Sequence, residues 1–171
     1  MEYHVRTSNA LPRALAAVHQ PLAPSEIPGR IQSLLGEVWE LLRANAVSST
    51  GRNVAVYTVM SARAEVTGSG AIGDAPAAPA AEPILDAWFG VEVHETLPPS
   101  ERVVAFETPA GPVASALHWG EYSRLGEAHA AVQAWCRTNG KRVTGACWEV
   151  YGPWNDDWAK VHTDVYYQLE G

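Results

Sequence analysis

One carboxylate stands among four large rings in the stretch Cys147-Trp148-Glu149-Val150-Tyr151-Gly152-Pro153-Trp154-Asn155-Asp156-Asp157-Trp158. An ionised glutamate walled by aromatic side chains suits a delocalised organic cation. The rings bury apolar area, each cation–π contact adds about 0.5–2 kcal/mol, and the carboxylate supplies the opposite charge. The same carboxylate, partly dehydrated, is also equipped to take a proton from water. Binding and hydrolysis are therefore two chemistries open to one residue.

On a strand, period-two geometry puts Cys147, Glu149 and Tyr151 on one face and Trp148 and Val150 on the other. The expectation is that Trp148 packs against helices while Glu149 and Tyr151 face away from them. Gly152 to Asp157 reads as a turn, with Asp156 and Asp157 as solvated turn formers and Trp154 and Trp158 at a rim. Further rings are expected to come from elsewhere in the chain. Tyr57 lies on a corresponding earlier strand, Trp119 and Tyr122 follow His118, and Trp88 opens a strand of its own. His19 and His118 end strands, where a structural hydrogen bond is the simpler use. His129, on a helix, and His162 read as structural or exposed.

These side chains need elements to carry them. Ala14 to His19 is a short apolar strand. After Pro24-Ser25, with Ser25 as N-cap, Ile27, Ile31, Leu34, Leu35, Val38, Leu41 and Leu42 form one helical stripe. The strand Asn53 to Val59 follows. The order then repeats: a strand Pro112 to His118, and a helix with Leu125, Val132, Trp135 and Cys136 on one face. Strands Thr144 to Tyr151 and His162 to Leu169 close the unit. Arg43-Ala44-Asn45 and Arg137-Thr138-Asn139-Gly140 end the two helices alike. Strands are also expected from Trp88 to Val93 and over Glu101 to Glu107. The inferred fold is α+β, a pseudo-twofold duplication of βαββ units. An antiparallel sheet carries two helices, and a ligand cleft lies between the halves. The halves span about 1–95 and 100–171 of a single domain, and the Gly/Ala/Pro-rich insertion at about 67–83 in the first half reads as a mobile surface loop.

Composition narrows the partners. Lysine and arginine total 12 against 19 acids, for a net charge of −7, and no basic cluster exceeds Lys141-Arg142. Direct nucleic-acid binding is therefore not expected. No apolar run approaches the roughly 20 residues of a membrane span, and the N-terminus lacks a signal pattern. Cys136 and Cys147 fit no metal or redox spacing and read as reduced thiols of a cytoplasmic protein. Neither cofactor nor metal is expected. The molecule is expected to be a monomer or a homodimer, since an exposed sheet edge can pair two copies. Seven tryptophans in 171 residues are many; tryptophan is enriched where ligands and proteins dock, but most of the seven are expected to be core.

The run from Pro112 through His118-Trp119-Gly120-Glu121-Tyr122, with Trp135, Asn139-Gly140, Trp148-Glu149-Val150-Tyr151 and Thr163-Asp164-Val165, resembles the GyrI-like small-molecule-binding family. That family includes the effector-binding domains of multidrug-responsive transcription regulators. The first half resembles it more weakly, through Phe89-Gly90-Val91 and the order of elements. The resemblance implies two βαββ modules with a cleft that takes lipophilic cations. Glu149 would meet the cation, with Tyr151, Tyr57, Trp88, Trp119, Tyr122 and His118 around it. The chain has no room for an N-terminal helix-turn-helix, so a stand-alone form is expected. Some stand-alone relatives are hydrolases of cyclopropane-bearing compounds. The resemblance then implies Glu149 activating water, with Tyr151 or Tyr122 assisting. A third implied use is a protein-interaction module of the gyrase-inhibitor kind.

Overall fold

Apolar positions at helical spacing become two α-helices, and the alternating stretches become eight strands. The computed structural model describes residues 2–59 and 82–171, so most of the 67–83 stretch lies outside the described residues. The strands are β1 (Arg6–Ala10), β2 (Ala14–His19), β3 (Thr50–Val59), β4 (Leu85–Val93), β5 (Val103–Glu107), β6 (Gly111–Trp119), β7 (Val143–Tyr151) and β8 (His162–Leu169). Helix α1 (Ile27–Ala44) follows β2, and α2 (Leu125–Thr138) follows β6. Ser25 does not cap α1 with its side chain. It lies in a single 3-10 turn, where its N–H and hydroxyl both donate to Glu82.

All pairings are antiparallel, in the order β1-β6-β8-β7-β3-β4-β2-β5. The duplication is legible residue by residue. One constant spacing carries the buried Leu34, Val38 and Leu42 of α1 onto Ala128, Val132 and Cys136 of α2. The same spacing carries the Asn45 cap onto Asn139, each side-chain amide donating to a carbonyl of its own helix, at Leu41 and Trp135. It also aligns the register breaks near Gly51 in β3 and Gly145 in β7. Ala55-Val56-Tyr57 then falls on Glu149-Val150-Tyr151. In the ladder Ala55 pairs with Glu149, so the internal twofold passes between those two residues.

The first strand of each unit is exchanged. β1 leads into β2 yet pairs with β6, and β5 leads into β6 yet pairs with β2. In a flat sheet β1 and β2 would lie six strand spacings apart, roughly 29 Å. Leu11-Pro12-Arg13, the link between them, lets Ala10 and Ala14 separate by only about 14 Å. The sheet must therefore roll until its edges approach. Ala10 of β1 accordingly packs in one cluster with Leu15 of β2 and Phe106 of β5.

Rolling creates two cores. The helices cover one face, α1 lying on β2, β4 and β5 and α2 on β6 and β8, which leaves β3 and β7 as the floor between them. The opposite face closes on itself around Leu15, Ala17, Val54, Val56, Val113, Trp148 and Val150. Alternation separated the β7 residues correctly, but the expected sides are reversed. Trp148, 1% exposed, belongs to the core inside the roll, stacked on Tyr166. Glu149 and Tyr151 face the helices. The largest ring on the strand needed no helix to bury it, because the curvature of the sheet does so. Gly90 belongs to the same close packing, since a Cβ there would meet the Ala16 carbonyl oxygen at 2.7 Å.

Candidate functional site

Glu149 is 7% exposed on the floor strand β7. Its cross-strand neighbours Ala55 and Val165 are apolar, so the surrounding sheet offers its charge nothing. Compensation comes from polar side chains one step away. Oε2 accepts hydrogen bonds from the Tyr57 hydroxyl at 3.3 Å and from the Tyr151 hydroxyl. The twofold makes those two tyrosines counterparts, and both converge on one oxygen. Oε1 lies 2.7 Å from Nε2 of His129 on α2. His129 Nδ1 lies 2.9 Å from the Tyr167 hydroxyl, which also accepts from Gln133 at 2.9 Å. Gln133 donates to Tyr167, and His129 Nε2 donates to the Glu149 carboxylate, which cannot itself donate.

Burial, reinforced by the Glu149 charge, pushes the Tyr57 and Tyr151 hydroxyls well above the usual tyrosine range. Burial raises Tyr167 as well, and pushes the neighbouring Cys147 thiol up to about 12. All four groups therefore stay protonated at working pH, and the tyrosines remain donors to the carboxylate. No lysine or arginine pairs with Glu149 among the described residues. A buried carboxylate satisfied by phenols and one imidazole keeps its attraction for a cation, because low dielectric strengthens the pairing.

The expected site residues divide between two faces. Tyr57, Tyr151 and Tyr122 gather with Glu149, and the Tyr122 ring stands edge-on to Tyr151 with centroids 5.6 Å apart. Trp154 and Trp158 extend that cluster outward, with Tyr122–Trp158 centroids at 5.7 Å and Trp154 63% exposed. His118 is on the helix face, but both its nitrogens are engaged, by the Tyr3 hydroxyl and the Glu121 carbonyl. Trp88 is not with Glu149. It pairs with Val56, packs into the core inside the roll, and stacks on Phe106 and His19. Trp119 is likewise apart, 44% exposed beside His162. Asp164 pairs with Arg52 at 3.2 Å on the inner face, away from the carboxylate.

Sequence reasoning missed His129, Gln133 and Tyr167. The first two stand one helical turn apart, alongside the buried stripe Leu125, Ala128, Val132 and Cys136. That spacing was the available signal. Thr163 lies between Tyr151 and His118 in the ladder, and its buried hydroxyl makes no hydrogen bond. Among the described residues no group of three or more His, Cys, Asp or Glu is placed to hold a metal, and no helix is long and apolar enough to cross a membrane.

A duplicated antiparallel sheet with two helices on one face and a polar-centred floor between them is the architecture of a small-molecule-binding domain. The model of the GyrI-like small molecule binding domain matches residues 1–170, and the chain belongs to that family. No curated protein sequence matches it. Among solved structures it is similar to the EcmrR C-terminal domain, with a TM-score of 0.71, 16% identity and 99% of each chain covered. It is also similar to SAV2435 bound to tetraphenylphosphonium, at 0.61 and 8% identity, covering 100% of this chain and 95% of that one. A hydrolase from Listeria innocua matches at 0.54 and 11% identity, covering 97% and 91%. At these identities the likeness concerns the fold.

Proposed function

We propose that this domain binds flat or bulky lipophilic organic cations on the β3–β7 floor between α1 and α2, with Glu149 as the countercharge. Tyr57, Tyr151 and Tyr122 supply the inner ring surface, and Trp154 and Trp158 the approach. The observation that carries this reading is the buried Glu149 carboxylate, ringed by aromatic side chains and paired with no lysine or arginine among the described residues. The likeness to a fold that holds tetraphenylphosphonium in SAV2435 supports it. Such binding serves sensing, sequestration or protection in a cytoplasmic setting. Titration with tetraphenylphosphonium tests it. Glu149→Gln is expected to weaken binding by at least about tenfold, or about 1.4 kcal/mol. Equal affinity in the two proteins would overturn the reading.

A second reading is hydrolysis, in which Glu149 takes a proton from a water that opens a strained ring. The Tyr151 hydroxyl, held protonated by burial, is a donor for the oxyanion that develops. Mass spectrometry for the water adduct of a cyclopropane-bearing alkylator tests it. An unchanged rate in Glu149→Gln excludes it.

A further inference from the structure

The linked set His129, Glu149 and Tyr167 exists in only one half of the duplication. The spacing that matches the two helices places Leu35 where α2 has His129. On the sheet, Ala55 stands where β7 has Glu149, and Val91 stands where β8 has Tyr167. Three linked polar residues thus replace three apolar ones, while the buried helix positions Leu34, Val38 and Leu42 keep apolar counterparts in Ala128, Val132 and Cys136. The helix packs without a histidine in the first half, so packing does not require His129. Its place follows from the carboxylate.

At that place His129 occupies Oε1, the carboxylate oxygen that the two tyrosines leave open to a cation. Oε2 is taken by two tyrosines and Oε1 by the imidazole. The His129 side chain is 19% exposed against 9% for Glu149, so the imidazole lies on the solvent side of the pair. We infer that His129 is a built-in occupant of the cation subsite: a cationic ligand displaces it from Glu149. His129 is thus a residue that determines ligand charge. A cation gains the carboxylate that the imidazole vacates, whereas a neutral ring system has nothing to offer in exchange for the broken pair. This inference rests on the binding reading of the same site.

The experiment is titration of wild type, His129→Leu and Glu149→Gln with tetraphenylphosphonium and with neutral triphenylphosphine oxide. Leucine is the residue that the first half carries at the matching position, and a matching circular dichroism spectrum establishes that the variant is folded. His129→Leu is expected to bind the cation several-fold more tightly than wild type, because no imidazole has to be displaced, and to show no such gain for the neutral oxide. Cation binding that depends on Glu149 but is equal or weaker in His129→Leu overturns this inference alone, as does an equal gain for the oxide. Absence of tetraphenylphosphonium binding, or indifference to Glu149→Gln, overturns the parent reading and this inference together.

Discussion

Ala55 faces Glu149 directly across the β3–β7 ladder, at the point where the internal twofold crosses the sheet. Duplication alone would set two glutamates side by side there, within about 5.5 Å of each other. Two buried like charges at that distance cannot both remain ionised. Alanine on one strand and glutamate on the other resolves the conflict and leaves a single charge at the centre. The paired tyrosines survive on both sides because each donates to the one carboxylate.

Replacing Tyr57 or Tyr151 by phenylalanine removes one donor from Oε2. Each single change is expected to cost about 1–2 kcal/mol in urea unfolding. The double variant should lose more than the sum, because the oxygen is then buried without either phenol. Strict additivity would show that the two hydroxyls do not share Oε2.

The two-faced distribution of rings predicts a dissociation of effects. Trp88→Ala removes a ring from the core inside the roll and should lower stability by about 2–4 kcal/mol while leaving tetraphenylphosphonium affinity unchanged. Tyr122→Ala should do the reverse, weakening binding several-fold with a stability change near 1 kcal/mol or less. Calorimetric titration beside thermal melts measures both. A Trp88 variant with impaired binding would contradict the face assignment.

Glu92 gives the fold an acid limit. Burial pushes its carboxyl up, but the Arg52 N–H and the Arg13 guanidinium outweigh burial and hold it below the usual range. A depressed folded-state value contributes stability that is present above the unfolded value, about 4.3, and is lost as pH falls through the folded one. Glu92→Gln should therefore cost about 1–3 kcal/mol at neutral pH, with the deficit shrinking below about pH 4. A deficit that is constant with pH would remove the ion pair from the account.

Much of this was legible in the sequence. The β7 stretch alternates cleanly, and the matching helix ends Arg43-Ala44-Asn45 and Arg137-Thr138-Asn139 disclose the duplication. Glu149, Tyr151, Tyr57 and Tyr122 are brought together. Alternation says which residues share a face, but not which face a helix covers. Trp148 looked like the helix-facing residue because tryptophan is the largest apolar group on the strand. The roll of the sheet gives it another interior, and that roll depends on β1, an exposed strand with no apolar periodicity to announce it. Trp88 was misplaced for the same reason. His129 reads as structural or exposed because a lone helical histidine carries no signal until its partner strand is known.

The exchange of β1 and β5 has a consequence for how the molecule behaves as a mechanical object. Each half borrows an edge strand from the chain segment that introduces the other, the arrangement of a strand-swapped dimer joined into one polypeptide. Neither half can melt without stripping an edge from its neighbour. Unfolding should accordingly proceed in one cooperative step, and the proposed site on β3 and β7 should not open by the two halves drifting apart like separate domains. Room for a guest has to come from shifts of helices over an intact floor.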